Sequence, residues 1–242
     1  MFKTISSEWL KNKRTIVRKL VWFFPLLVVI MATLLFMSTG YVVQTIVNQW
    51  SIIWVNFFLA LIIGLIDRHE KNSTEYKMIL SSPINLFNYE LGRILHGVLL
   101  SFIATVVLSA LILLESCFMT ITVPVVFCII ALFGIFITSL WEIPFYIWLS
   151  RVTNLYFSIG VAFIGSILGI FIAPTAFGKV FPFTWIDLMP VSLIKMNVNG
   201  LIVKDPTVLS NNYWTLGTSI ILFIVLSFLS ARSFKKQVIE HA

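Results

Sequence analysis

Solid apolar runs broken by short polar stretches set the pattern of this chain. The runs lie at about 20–37, 50–66, 94–114, 124–149, 155–173 and 214–231. Each is near the ~20 residues that a helix needs to cross ~30 Å of hydrocarbon. None alternates apolar and polar residues in segments of about ten, as the strands of a membrane barrel do. The pattern predicts an all-α integral membrane protein, with residues 1–242 forming one transmembrane domain of six helices. Residues 38–49 read as a short uncharged turn, 150–154 as a tight turn carrying Arg151, and 174–213 as the longest loop. The 124–149 run is long enough to tilt or break, with Glu142 and Pro144 in its second half.

Two polar stretches have a pattern of their own. In residues 1–19, Phe2, Ile5, Trp9, Ile16 and Val17, with Leu20 just beyond, recur roughly three, four or seven apart among Lys3, Lys11, Lys13, Arg14, Arg18 and Lys19. That spacing predicts a basic amphipathic helix lying in the membrane interface. The basic region before the first apolar run is long, so no cleaved signal peptide is expected. Residues 67–93 set Asp67, Glu70, Glu75 and Glu90 against Arg68, Lys71, Lys77 and Arg93. Asn72 with Glu75 three residues later fits a capping box. Tyr76, Ile79 and Leu80 would give the capped helix an apolar side, and Pro83 would stop it. A second helix is expected to start near Asn85. A short capped helix tethered between two spans is suited to docking on a soluble partner; an ordinary solvated loop is the other reading.

Composition agrees with the pattern. The chain is 59% hydrophobic and 11% charged, with a mean hydropathy of +1.00; soluble domains are about 25% charged. Charge adds orientation. Of the 17 Lys and Arg, only Lys179, Lys195 and Lys204 fall outside the set formed by the N-terminus, the 67–93 loop, Arg151 and the C-terminal tail. By the positive-inside rule both termini and the 67–93 loop face the cytoplasm, and 174–213 faces outward. The net charge of +7 is therefore juxtamembrane and needs no nucleic acid. Cys117 and Cys128 make no disulfide framework and read as packing residues.

Candidate chemistry is sparse. The outer loop crowds Phe177, Phe181, Phe183 and Trp185 between Pro174, Pro182 and Pro190. It suits the headgroup region, or re-entry partway under cover of protein, and its aromatics are candidate substrate or gate contacts as well as plain anchors. Glu142 is the one acid well inside a run, and a buried charge marks a possible functional site. The expectation favoured here is that Pro144 ends the helix early and leaves Glu142 near the cytoplasmic surface with Arg151 as partner. Gly165 and Gly169 form G-x-x-x-G with Gly160 nearby, which suits either packing inside the chain or a dimer seam. His96 is expected to be satisfied locally. No P-loop, H-E-x-x-H or G-x-S-x-G motif occurs, and no cluster has metal-ligand spacing. The chain is expected to be neither an enzyme nor an ion-coupled transporter, and to need a partner if it does energised work.

Two segments carry a family resemblance: SEWLKNKRTIVRKL at 7–20, leading into the first span, and EKNSTEYKMILSSPIN at 70–85, followed by Gly92 and Arg93. Together with six spans they resemble the permease subunits of ABC-2 type exporters. Within that family the small size, the SSPIN wording and the Trp/Pro-rich outer loop look most like the lantibiotic immunity permeases, of the E type (MutE/EpiE-like). The resemblance implies that Glu70, Asn72, Glu75, Tyr76, Ile79, Leu80 and Pro83 belong to a coupling helix seated on an ATPase subunit. It implies no cofactor bound by this chain itself, ATP being used by a dimer of that partner. It also implies a second, non-identical six-span permease, a cytoplasmic-membrane location, and a lantibiotic peptide exported from the membrane for self-protection. An ABC-2 exporter of a drug, glycan or other peptide is the alternative, and a non-transporting scaffold or sensor a further one.

Overall fold

The computed structural model describes residues 2–74, 85–203 and 211–240. It is all-helical among these residues apart from one isolated bridge, Met196 to Ile202. In chain order the helices are α1 (Phe2–Lys11), α2 (Ile16–Phe36), α3 (Val42–Gln49), α4 (Val55–Thr74), α5 (Leu86–Ser116), α6 (Val125–Ser139), α7 (Glu142–Val152), α8 (Leu155–Ile172), α9 (Pro182–Leu188), α10 (Val191–Ile194) and α11 (Trp214–Glu240). Five helical segments are long and apolar enough to cross a membrane; a sixth follows if α6 and α7, bent by 42°, count as one. Their outer faces carry large exposed side chains, among them Trp22, Leu34, Phe163, Phe171, Ile221 and Phe228. Apolar belts of this extent suit lipid rather than water.

The helices start and stop for local reasons. Asn85 caps α5, its side chain accepting the N–H groups of Phe87 and Asn88, and Asn154 caps α8 through Phe157. The break between α6 and α7 follows from Pro144. Its missing N–H would have bonded the Leu140 carbonyl; Ile143 N–H takes that carbonyl instead, at 3.2 Å, tightening the turn. Pro144 thus sits in the first turn of a new helix, where proline is tolerated.

Three sequence expectations are corrected here. The N-terminal amphipathic run is not one helix: a 3-10 turn at Asn12–Arg14 and extended Thr15 divide it, and α2 begins at Ile16. Asn12 is buried there and donates to the Glu8 carbonyl. The uncharged turn at 38–49 is largely α3, which joins α4 through a π-turn at Trp50–Trp54. Its polar residues do not mark a loop but bond the outer segment: Gln44 donates to the Ile194 carbonyl at 2.8 Å and Asn48 to the Asn197 carbonyl at 3.2 Å. Asn72 lies within α4, which runs on to Thr74, and so does not start a helix. The tail beyond 231 also continues as helix, to Glu240.

Candidate functional site

The ends of α4 and α5 that flank residues 75–84 are joined by buried charge. Asp67, Glu90, Arg93 and Arg151 are each at most 4% exposed. Arg93 holds Asp67 at 2.9 Å with one nitrogen and Glu90 at 3.4 Å with another. Arg151, from α7, bonds the other oxygen of Glu90 and lies 3.8 Å from Asp67. Ser230 of α11 donates to Glu90, and the Arg151 guanidinium lies 4.4 Å from the centre of the Phe234 ring. Two acids and two guanidinium groups thus balance across α4, α5 and α7, with Ser230 and Phe234 adding α11. Guanidinium is the cation suited to this, being planar, many-donor and weakly hydrated.

The network continues to α1. Lys11 lies 3.0 Å from both Glu8 and Glu70, and the Tyr89 hydroxyl donates to Glu8 at 3.2 Å. Tyr89 stacks on Phe234. Burial works to lower the Lys11 pKa, but the charge and hydrogen bond of Glu8, and those of Glu70, outweigh it and hold the ammonium above its ordinary 10.5. Burial pushes the Tyr89 phenol well above its usual range, so it stays a neutral donor. Asn12 and Nε2 of His96 lie 3.2 Å apart, and Trp9 meets the His96 ring edge-on. The expectation that His96 is satisfied locally holds only in part: Nε2 meets Asn12 from the distant 3-10 turn, while Nδ1 is buried with no hydrogen-bond partner among the described residues.

Of the residues expected to form the coupling helix, Glu70 lies in this network; Glu75, Tyr76, Ile79, Leu80 and Pro83 fall outside the described residues. Glu142 is not where it was expected. Arg151 is committed to Glu90, about 13 Å along α7 at 1.5 Å per residue. Glu142 opens α7, fully buried, and interacts electrostatically with Tyr146 on its own helix and with Asp187 on α9.

The glycine stripe is used inside the chain. A Cβ at Gly165 would stand 2.6 Å from the Phe183 ring, and one at Gly169 would stand 2.6 Å from Oδ2 of Asp187. The two glycines are the floor on which α9 sits. Gly160 has open space around it. Phe183 and Trp185 are 8% exposed: Phe183 packs edge-on against Trp141, and the Trp185 indole donates to the Lys179 carbonyl. Phe181 is half-buried, while Phe177 and Val180, and further on Leu201, are exposed.

Searches against protein-family models, curated proteins and solved structures find no match. What this chain does must be argued from its own residues.

Sequence reasoning missed Asp187, Glu8, Tyr89, Ser230 and Phe234. Asp187 had a signal, being the lone acid in a crowded aromatic stretch, and a lone buried acid needs an explanation. Ser230 and Phe234 carried none, since nothing local distinguishes them from other residues of α11.

Proposed function

We propose that this chain is the membrane-spanning permease subunit of an ABC-2 type exporter, and that its cargo is a lantibiotic lifted from the cytoplasmic membrane into the medium for self-protection. In this reading the chain has six spans, with α6 and α7 forming one of them, and α1 lies in the interface. Both termini and residues 67–93 face the cytoplasm. The chain catalyses nothing; a dimeric ATPase partner binds and hydrolyses ATP, and a second six-span permease completes the pore. The aromatic outer segment faces the leaflet where a cationic, amphipathic peptide would arrive.

The observation that carries the reading is the buried ionic joint at the two ends of the 75–84 segment. Asp67 and Glu70 lead into that segment and Glu90 and Arg93 lead out of it. Arg151 and Ser230 tie the same joint to α7 and α11. A push on residues 75–84 is thereby delivered to five helices at once rather than absorbed by a slack loop. Such a joint suits a subunit driven from outside itself.

The test is peptide partition. The chain is expressed with its ATPase and partner permease in a sensitive Gram-positive host, and cell-bound and released lantibiotic are compared with a strain whose ATPase cannot hydrolyse ATP. The expected result is release that requires hydrolysis and is lost in a well-inserted Glu75→Lys variant. Absence of release across a panel of lantibiotics, with an assembled complex, would move the reading to another cargo. Normal protection by the Glu75→Lys variant would remove the coupling role.

A further inference from the structure

The break between α6 and α7 holds a second buried cluster, separate from the ionic joint and opposite in character. Glu142 and Asp187 are 0% and 1% exposed, and all four carboxylate oxygens lack a hydrogen-bond partner among the described residues. The Tyr146 hydroxyl, 0% exposed, is also unpartnered. It stands one turn after Glu142 on the same face of α7 and within its electrostatic reach. The Trp141 indole N–H, 3% exposed and unpartnered, lies beside Phe183, one turn before Asp187.

Among the described residues, neighbouring elements bring no cation that is not already held: on α5, where Gly97 packs against Ile143, His96 meets Asn12 and Trp9, and Arg93 meets Asp67 and Glu90. Residues 125–139 of α6 carry only Cys128 as a titratable group, and residues 155–172 of α8 only Tyr156. Residues 42–66, covering α3, the π-turn and the start of α4, contain no titratable group, and Asn56 is bonded to Ser166 of α8. Residues 214–231 of α11 have none before Arg232. Lys179 and Lys195, at the ends of the outer segment, are exposed to solvent. Arg151, on α7 itself, is held by Glu90 and Asp67. A bare carboxylate taken out of water without a cation or donors is too costly to keep; it neutralises instead. Two acids brought together make that choice stronger, because each charge repels the other.

We propose that Glu142 and Asp187 form a proton-binding site that latches α9 onto the broken helix. With α9 seated on Gly165 and Gly169, at least one carboxyl of the pair is the acid. When α9 lifts away, Asp187 reaches water and its O–H bond breaks heterolytically; the proton goes to water and the carboxylate is hydrated. Reseating α9 takes the proton back. The latch requires only that the chain be membrane-embedded and does not depend on the cargo. It ties movement of the outer segment to pH, which no motif in the sequence announces.

The test uses the purified full chain in lipid nanodiscs, with Glu142→Gln, Asp187→Asn and the double variant. Infrared spectra at neutral pH are expected to contain a protonated-carboxyl band that exchanges slowly in heavy water and disappears in the double variant. The wild-type melting temperature is expected to fall as pH rises from about 6 to about 9, while that of the double variant changes much less, since neutral amides have no proton to lose. Absence of the band in wild type would overturn the proposal even if every variant failed to fold. A sodium-dependent rise in wild-type melting temperature that the variants abolish would also overturn it, by making the ligand an alkali cation.

Discussion

Arg93 touches two carboxylates at once, so its loss is felt twice. Arg93→Met leaves Asp67 and Glu90 to share Arg151 in a dry site. Breaking a buried pair from one side costs about 3–5 kcal/mol. The expected outcome is a lower melting temperature in detergent, with partial recovery when Asp67→Asn is added; a double-mutant cycle should return a coupling of about 0.5–3 kcal/mol. Glycines offer a cleaner contrast. Gly165→Leu must displace the Phe183 ring and is expected to cost about 1–3 kcal/mol, whereas Gly160→Ala, with open space around it, should leave the melting curve unchanged. A dimer seam would reverse that order of effects in an association assay. These roles differed in legibility. The G-x-x-x-G spacing could be read from the sequence, but the ring that fills it is some 18 residues away in the chain and could not. Likewise the charges of 67–93 were visible, but the burial of Asp67, Glu90 and Arg93 depended on Arg151 and Ser230 arriving from distant helices.

Among the elements, those set by strong local signals matched expectation best. The caps at Asn85 and Asn154 sit where the sequence put the start of a helix and a tight turn. Misread elements were those whose polar residues have partners far along the chain. Gln44 and Asn48 make 42–49 look like a turn, yet their amides bond the backbone at 194 and 197. Gln44→Leu is expected to strand the Ile194 carbonyl at about 1–3 kcal/mol and to raise protease cleavage within the outer segment. The attachment of α1 should respond to pH in a defined direction. Because Lys11 titrates above its ordinary value, its contribution is fully present at neutral pH and is lost only as pH climbs through the raised value. Docking of α1, followed by Trp9 fluorescence, is expected to be level from about pH 6 to about pH 9 on this account and to weaken only in strong alkali. Glu8→Gln, which removes a carboxylate shared by Lys11 and Tyr89 and leaves Lys11 only Glu70, should weaken it at neutral pH.

At the scale of the whole molecule the two ends are built differently. One is closed by ion pairs and carries nearly all the basic residues; the other is closed by aromatic packing, backbone hydrogen bonds and an acid pair. The hydropathy pattern foretold this division, because solvent-facing charge and lipid-facing bulk are one-residue properties. It could not foretell which charges would be drawn inward, since that is a property of the assembled helices. The ionic joint also bears on how the chain is made. Synthesis delivers Asp67 first, then Glu90 and Arg93, and Arg151 emerges about 58 residues after Arg93, so the joint is completed late. A chain arrested before Arg151 should therefore be held by the insertion machinery or degraded, and one arrested just beyond it should be spared, which pulse-chase of stalled chains would detect. On that outcome the last guanidinium to arrive would serve as a checkpoint in biogenesis, passed only once α7 has packed against α4 and α5.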